Sequence, residues 1–134
     1  MAAFKDILIV EDDVFISELY VRALSKKGYN VTVAADGTSG LTAGKSGKHD
    51  LMLLDIMVPE MTGVEVLKEL REQKDLAPNM KIVITTNLEQ DDETREAVEK
   101  LADGYIIKAD ITPKLLVKMI EQIEQSGTFE APEE

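Results

Sequence analysis

Polar residues with chemical uses close four of the apolar runs of this chain: Glu11, Asp12 and Asp13 follow the first run, Asp55 the third, Thr86 the fourth and Lys108 the fifth. Neighbouring carboxylates repel one another, and the chain already carries a formal net charge of −11. Three consecutive acids are therefore unfavourable unless a positive group lies beside them. Whether these residues act together depends on how the fold arranges the ends of the apolar runs.

Short apolar runs recur along the chain at fairly even spacing, and they are Ile7–Val10, Val31–Ala35, Leu51–Leu54, Ile82–Thr85 and Tyr105–Ile107. Most are nearly continuous, a pattern typical of parallel strands that are buried on both faces. The segments between them are long enough for crossover helices. We therefore predict an α/β protein with a doubly wound (βα)5 flavodoxin-like fold, whose five-stranded parallel sheet has the order 2-1-3-4-5.

Apolar residues at three- to four-residue spacing predict the helices between these strands. Asp13 is the predicted N-cap of the first helix, and Gly28 is its predicted stop. Thr112 and Pro113 are the predicted N-cap and first residue of the last helix. The second helical segment, 38–45, contains two glycines, which disfavour a helix there.

Length and composition indicate a single domain. A chain of 134 residues with 44% hydrophobic content can bury one core. We assign residues 1–125 to this domain and predict that residues 126–134, which lack periodicity, form a flexible acidic tail. The chain has no cysteine, which excludes disulfides and thiolate metal ligands.

Charge and hydropathy limit the partners and the location. The strong acidity disfavours direct nucleic-acid binding, which needs clustered lysine and arginine, and it suits divalent cations or basic proteins. No apolar stretch approaches the ~20 residues that cross a bilayer, and the first residues do not resemble a signal peptide. We predict a soluble cytoplasmic protein that contacts neither nucleic acid nor membrane.

The predicted strand order brings the acidic residues together. Strands 1 and 3 are neighbours in such a sheet, so Glu11, Asp12 and Asp55 should converge beyond their carboxyl ends. A hard divalent cation with oxygen ligands, of which Mg²⁺ is the best match, would compensate their charge. Asp12 and Asp55 suit direct coordination, and Glu11 suits coordination through water.

Lys108 and Thr86 at the same edge favour phosphoryl transfer over metal storage. A phosphoryl group on Asp55 would face Mg²⁺, the Lys108 ammonium and the Thr86 hydroxyl, and a carboxylate can itself be the nucleophile. Each signal alone has an ordinary explanation, such as a helix cap, a turn, a solvated charge or a strand-favoured threonine. Their joint position is what supports this chemistry.

Four motifs in order, "ILIVEDD", "DLMLLDIMVPEMTGVEVLKELR", "IVITTN" and "DGYIIKA", carry a family resemblance. The sequence resembles a bacterial response-regulator receiver domain of two-component signalling, similar in layout to the single-domain chemotaxis regulator. The resemblance extends from Lys5 to Gln125.

The resemblance implies a role for each residue of the acidic cluster. Asp55 matches the aspartate that accepts the phosphoryl group. Asp12 matches the main metal-binding acid, Glu11 matches its acidic neighbour, and the backbone carbonyl of Met57 matches a further ligand of Mg²⁺. Lys108 matches the lysine that pairs with the phosphoryl oxygens.

The resemblance also implies a switch and its partners. Thr86 matches the hydroxyl that moves toward the phosphoryl group, and Tyr105 matches the aromatic residue that changes rotamer with it. A histidine kinase or a phosphotransfer protein is the implied donor. An unidentified output protein would read the face of the fourth helix, fifth strand and fifth helix. The expected function is a stand-alone switch that takes part in its own phosphotransfer and dephosphorylation and is not a conventional enzyme.

Some positions depart from the family pattern. Ala109 follows Lys108 where the family usually has a proline after a cis peptide, so the bond is either a strained cis form or trans with a rearranged loop. Asn87 stands where alanine is frequent. The resemblance places apolar Met57 and Leu88 beside the path of the attacking water, which predicts slow self-dephosphorylation.

Two other functions are compatible with parts of the pattern. A metal-dependent phosphatase with an aspartyl nucleophile usually needs a second aspartate two residues later, where this chain has Met57. A receiver-like scaffold that is never phosphorylated would not require the complete set of acidic residues, hydroxyl and lysine.

Overall fold

The computed structural model describes residues 4–72, 80–87 and 91–126, within which strands and helices alternate. The strands are β1 (Asp6–Val10), β2 (Asn30–Ala34), β3 (Leu51–Asp55), β4 (Lys81–Thr86) and β5 (Gly104–Ile107). The helices are α1 (Val14–Ser25), α2 (Gly37–Lys45), α3 (Gly63–Glu72), α4 (Asp92–Leu101) and α5 (Pro113–Ser126), and a 3₁₀ turn covers Lys108–Asp110. Of the predicted tail, only Ser126 is among the described residues.

The strands form one parallel sheet in the order β2-β1-β3-β4-β5, which confirms the predicted doubly wound fold. Val10 of β1 is level with Leu54 of β3. Asp55 of β3 is level with Thr85 of β4. The residues that follow β1 and β3 therefore emerge side by side at one edge, which we call the carboxyl edge of the sheet.

Two hydrophobic cores lie on opposite faces of the sheet. Ile7 and Ile9 of β1 pack with α1 and α5, whereas Leu8 and Val10 pack with α2, α3 and α4. Helices cover both faces, so the central strands can be continuous apolar runs. None of the described helices is long and apolar enough to cross a membrane.

The predicted helix ends are confirmed. Asp13 caps α1, because its Oδ1 accepts hydrogen bonds from two backbone N–H groups of the first turn at 2.9 and 3.2 Å. Thr112 precedes α5, and its Oγ1 accepts a backbone N–H of the first turn at 3.1 Å. Gly28 follows α1 with a φ of +92°, the left-handed conformation that glycine adopts at helix ends.

Helix α2 forms despite its glycines because the glycines let it approach the sheet. A Cβ atom on Gly40 would come within 2.7 Å of both γ carbons of Val10. The helix is also capped by Asp36, whose Oδ1 accepts the N–H of Ser39 at 2.7 Å. Packing and capping therefore outweigh the weak intrinsic helix propensity of this segment.

A polar cluster at the opposite edge of the sheet joins three elements. Arg71, near the end of α3, donates hydrogen bonds to the carbonyls of Leu101 at 2.8 Å and Met80 at 3.3 Å. Its Nη2 lies 2.7 Å from Asp103 Oδ2, which also accepts the Ile82 N–H at 2.8 Å. One side chain thus links α3 to the end of α4 and the start of β4.

Substitution Arg71→Met should therefore destabilise the protein by about 2 kcal/mol, because it removes the nearest cation from Asp103 and the donor to two backbone carbonyls. Urea unfolding followed by circular dichroism measures the loss. Arg22→Met is the matched control, since Arg22 is exposed in the last turn of α1, and it should change stability by about 0.5 kcal/mol or less. Equal losses in both variants would contradict the linking role of Arg71.

Candidate functional site

Three carboxylates meet at the carboxyl edge, as predicted. Glu11 and Asp12 follow β1, Asp55 ends β3, and one carboxylate oxygen of each lies within 4.8 Å of the others. Glu11 is 2% exposed and Asp55 is 3% exposed, whereas Asp12 is open to solvent. The site therefore combines two buried acids with one accessible acid.

A buried lysine bridges the two buried acids. Lys108 directly follows β5, and its Nζ lies 2.6 Å from Glu11 Oε1 and 3.0 Å from Asp55 Oδ2. The Lys108 side chain is only 6% exposed. The ammonium therefore reaches past β4 to the ends of β3 and β1 and brings three strand ends into one cluster.

The second oxygen of each buried acid accepts a backbone N–H two residues further along the chain. Glu11 Oε2 accepts the Asp13 N–H at 3.0 Å, and Asp55 Oδ1 accepts the Met57 N–H at 3.0 Å. Each buried carboxylate is thus held between the Lys108 ammonium and its own following loop. These contacts fix both side chains before any ligand binds.

Charge in the cluster is only partly compensated. Burial raises the pKa of Glu11, and the charge of Asp55 adds to the rise, while hydrogen bonds from Lys108 and Asp13 offset it incompletely. Burial disfavours the Lys108 ammonium, but the hydrogen bonds that it donates to Glu11 and Asp55 and the charges of these carboxylates outweigh this and raise the pKa of Lys108. With Asp12, the cluster keeps an excess of negative charge that a divalent cation would neutralise.

The donor set and its spacing fit Mg²⁺. This ion takes oxygen ligands at ~2.1 Å in an octahedron, so opposite ligands lie about 4.2 Å apart. The 4.8 Å spread of the three carboxylates is only slightly larger. Asp12 is the exposed member of the three and the most accessible direct ligand, whereas both oxygens of Glu11 and of Asp55 already have protein partners.

The two residues assigned to the switch lie on neighbouring strands. Thr86 ends β4 and is 4% exposed, beside Ile107 of β5. Tyr105 of β5 is 49% exposed. The hydroxyl is thus buried at the carboxyl edge, while the aromatic ring is half in solvent on the outermost strand.

The loop after β5 takes one of the two conformations that the sequence allowed. The Lys108–Ala109 peptide is trans, and Lys108–Asp110 forms a 3₁₀ turn in which the Ile111 N–H donates to the Lys108 carbonyl at 3.1 Å. Lys108 reaches both carboxylates from this turn. Asn87 is exposed at the end of β4, and Leu88 lies outside the described residues.

A close backbone approach positions the loop after Asp55. A Cβ atom on Gly63 would lie 2.5 Å from the Asp55 carbonyl oxygen, so only glycine permits this start of α3. The Gly63 N–H donates to the Ile56 carbonyl at 3.0 Å. Met57 lies in this loop, two residues after Asp55, and is 72% exposed.

The comparisons establish the family. The response regulator receiver domain model matches residues 7–121, so the chain belongs to the receiver domain family of two-component response regulators. Members of this family are signalling switches that take phosphoryl groups from histidine kinases and bind Mg²⁺ at an acidic pocket.

Solved structures agree with this membership. A CheY-like receiver domain from Methanospirillum hungatei JF-1 is 31% identical with a TM-score of 0.80, over 92% of this chain and 95% of that one. Chemotaxis protein CheY4 of Vibrio cholerae is 28% identical with a TM-score of 0.78, over 90% of this chain and 99% of that one.

Curated relatives are longer proteins. Transcriptional regulatory protein CiaR of Streptococcus pneumoniae is 37% identical over 92% of this chain and 53% of its own length. The alkaline phosphatase synthesis transcriptional regulatory protein PhoP of Bacillus subtilis is 33% identical over 96% of this chain and 52% of its own length. The chain therefore spans about half the length of these relatives.

Removing the bridging ammonium should lower the free energy of unfolding. We expect Lys108→Met to destabilise the protein by about 3 kcal/mol in EDTA, because two buried carboxylates lose their shared partner. Lys100→Met, at an exposed position of α4, is the matched control and should change stability by about 0.5 kcal/mol or less. Chemical unfolding of both variants measures the difference, and a loss for Lys108→Met no larger than the control would refute the bridging role.

Proposed function

We propose that this chain is a cytoplasmic, Mg²⁺-dependent phospho-accepting switch, with Asp55 as the acceptor and a histidine kinase or phosphotransfer protein as the donor. The observation that carries the proposal is the environment of Asp55. Its carboxylate lies at the carboxyl edge with Lys108 Nζ at 3.0 Å and the carboxylates of Glu11 and Asp12 within 4.8 Å. A nucleophilic carboxylate, a neighbouring ammonium and acidic groups that could hold a divalent cation match the needs of phosphoryl transfer.

In the proposed reaction, an oxygen of the Asp55 carboxylate attacks the phosphorus of a phosphohistidine. The new O–P bond forms as the N–P bond breaks, and the imidazole nitrogen leaves with the electron pair and takes a proton from solvent. Mg²⁺, when bound by Asp12, Asp55 and the Met57 carbonyl, would neutralise charge on the phosphoryl oxygens. Lys108 would donate hydrogen bonds to the same oxygens, exchanging part of its contact with Asp55 for a contact with the product.

The proposed output is a repacking of α4, β5 and α5. Phosphorylation adds negative charge at the carboxyl edge and would draw the Thr86 hydroxyl toward it, which opens space for Tyr105 to turn inward. Two observations support this face as the mobile one. Tyr105 is 49% exposed, and within α4 only Val98 is fully buried. A weakly packed helix is the kind of element whose equilibrium a local charge can shift.

Intact mass after incubation with acetyl phosphate and Mg²⁺ tests the proposal. We expect a gain of one phosphoryl group, which should be absent in Asp55→Asn and absent in EDTA. Asp12→Asn should slow the gain strongly, because it removes a direct metal ligand. Asp13→Asn is the matched control: Asp13 belongs to the same acidic run but caps α1, where asparagine also caps well. No phosphoryl gain in the wild-type chain, or an undiminished gain in Asp55→Asn, would contradict the proposal.

We further expect the phosphorylated chain to be long-lived, because the residue two positions after Asp55, Met57, is apolar and exposed. Met57→Asn should speed hydrolysis several-fold, since an amide can orient the attacking water. The decay of the phosphorylated mass over time measures the rate. Glu60→Asn, an exposed substitution in the same loop, should leave the rate unchanged. An unchanged rate in Met57→Asn would show that Met57 does not limit access of water.

A further inference from the structure

A groove lies between α1 and α5, on the face of the sheet that these two helices cover. It has a volume of about 510 Å³, and its apolar lining comes from Leu19 and Ala23 of α1 and from Pro113 and Val117 of α5. Leu19 is 43% exposed although it is a large apolar residue. None of these residues belongs to the acidic site at the carboxyl edge.

Basic side chains surround this apolar floor, and they are Arg22, Lys26, Lys27, Lys114 and Lys118. They make up one third of the 15 lysines and arginines of a chain whose net charge is −11. All are exposed, and among the described residues Glu121 is the one acid that lines the groove. The groove is therefore positively charged, whereas the chain as a whole is negatively charged.

These cations have no ion-pair partner within the described residues. The ion pairs among the described residues join other side chains. None of them places a carboxylate within 4.0 Å of the five basic groups of the groove. Five cations beside the one carboxylate of Glu121 leave a local excess of positive charge, so the cluster does not stabilise the fold by itself. An external acidic group would compensate this excess.

We propose that the groove binds an acidic amphipathic helix of a partner protein. Leu19 and Ala23 lie four residues apart on α1, as do Pro113 and Val117 on α5, and these two stripes offer a floor for the apolar face of a third helix. Carboxylates on the flanks of that helix would meet the five basic residues. This inference goes beyond the proposed function and does not depend on Asp55.

Charge and shape favour such a helix over a nucleic acid. The net charge of −11 repels a long polyanion, whose binding depends on many phosphate contacts spread over a wide surface. The apolar floor has no use in holding phosphates, whereas it would bury leucine or phenylalanine side chains. A short acidic segment with one apolar face satisfies both features of the groove.

The test uses a defined probe, a fluorescein-labelled synthetic helix of about 18 residues with leucines at i, i+3, i+4 and i+7 and glutamates elsewhere. Fluorescence anisotropy with the full chain gives the dissociation constant. Lys26→Glu combined with Lys118→Glu should weaken binding by roughly tenfold. Lys48→Glu combined with Lys68→Glu, at exposed positions outside the groove, changes the net charge equally and should have little effect.

Further measurements test the role of the apolar floor and check that each variant is folded. Leu19→Ser should also weaken binding without any change in charge, and thermal unfolding confirms that each variant is folded. A second probe with lysines in place of the glutamates should not bind. Equal weakening by the two charge-reversal pairs, binding of the basic probe, or no binding of the acidic probe would overturn the proposal.

Other occupants of the groove give distinct results. A wild-type chain that dimerises in sedimentation equilibrium, while the Lys26→Glu and Lys118→Glu pair is monomeric, would assign the groove to a second copy of this chain. A chain that binds the acidic probe only after removal of residues 127–134 would assign it to that segment. Either result would overturn the proposal of a partner helix.

Discussion

The Lys108 ammonium between two buried carboxylates is the contact on which the site depends. Glu11 and Asp55 are almost fully withdrawn from water, and two such charges side by side are strongly unfavourable without a cation. Lys108 contacts both of them at 2.6 and 3.0 Å. This contact requires β1, β3 and β5 to end at the same edge of the sheet, so strand lengths, register and the turn after β5 together place one nitrogen atom.

The remaining negative charge explains why the site is suited to a ligand and not only to stability. One ammonium cannot compensate three carboxylates, and burial, together with the charge of Asp55, raises the pKa of Glu11. Asp12, the exposed member, opens the cluster to solvent. A divalent cation would therefore reach the acids from the side of Asp12, while the backbone N–H groups of Asp13 and Met57 hold Glu11 and Asp55.

The sequence was sufficient to predict the sheet and the convergence of the acids, because continuous apolar runs and polar residues at their ends are local patterns. It could not predict that Gly40 permits α2 to pack on Val10, since that depends on a close approach between distant segments. The contacts of Arg71 with Leu101, Met80 and Asp103 could not be predicted from the sequence either, because an arginine near a helix end is usually a solvated charge. The sequence allowed both a cis and a trans peptide before Ala109, and the structure shows that it is trans.

Phosphorylation of Asp55 itself is the central claim, and locating the modified residue tests it most directly. Borohydride reduces an aspartyl phosphate to homoserine, which is stable and changes the mass of one peptide. After treatment with acetyl phosphate and Mg²⁺, followed by borohydride and proteolysis, tandem mass spectrometry should find homoserine at position 55 and at no other aspartate. Homoserine at Asp12 or Asp13 in place of position 55, or no homoserine at all, would contradict the assignment of Asp55 as the acceptor.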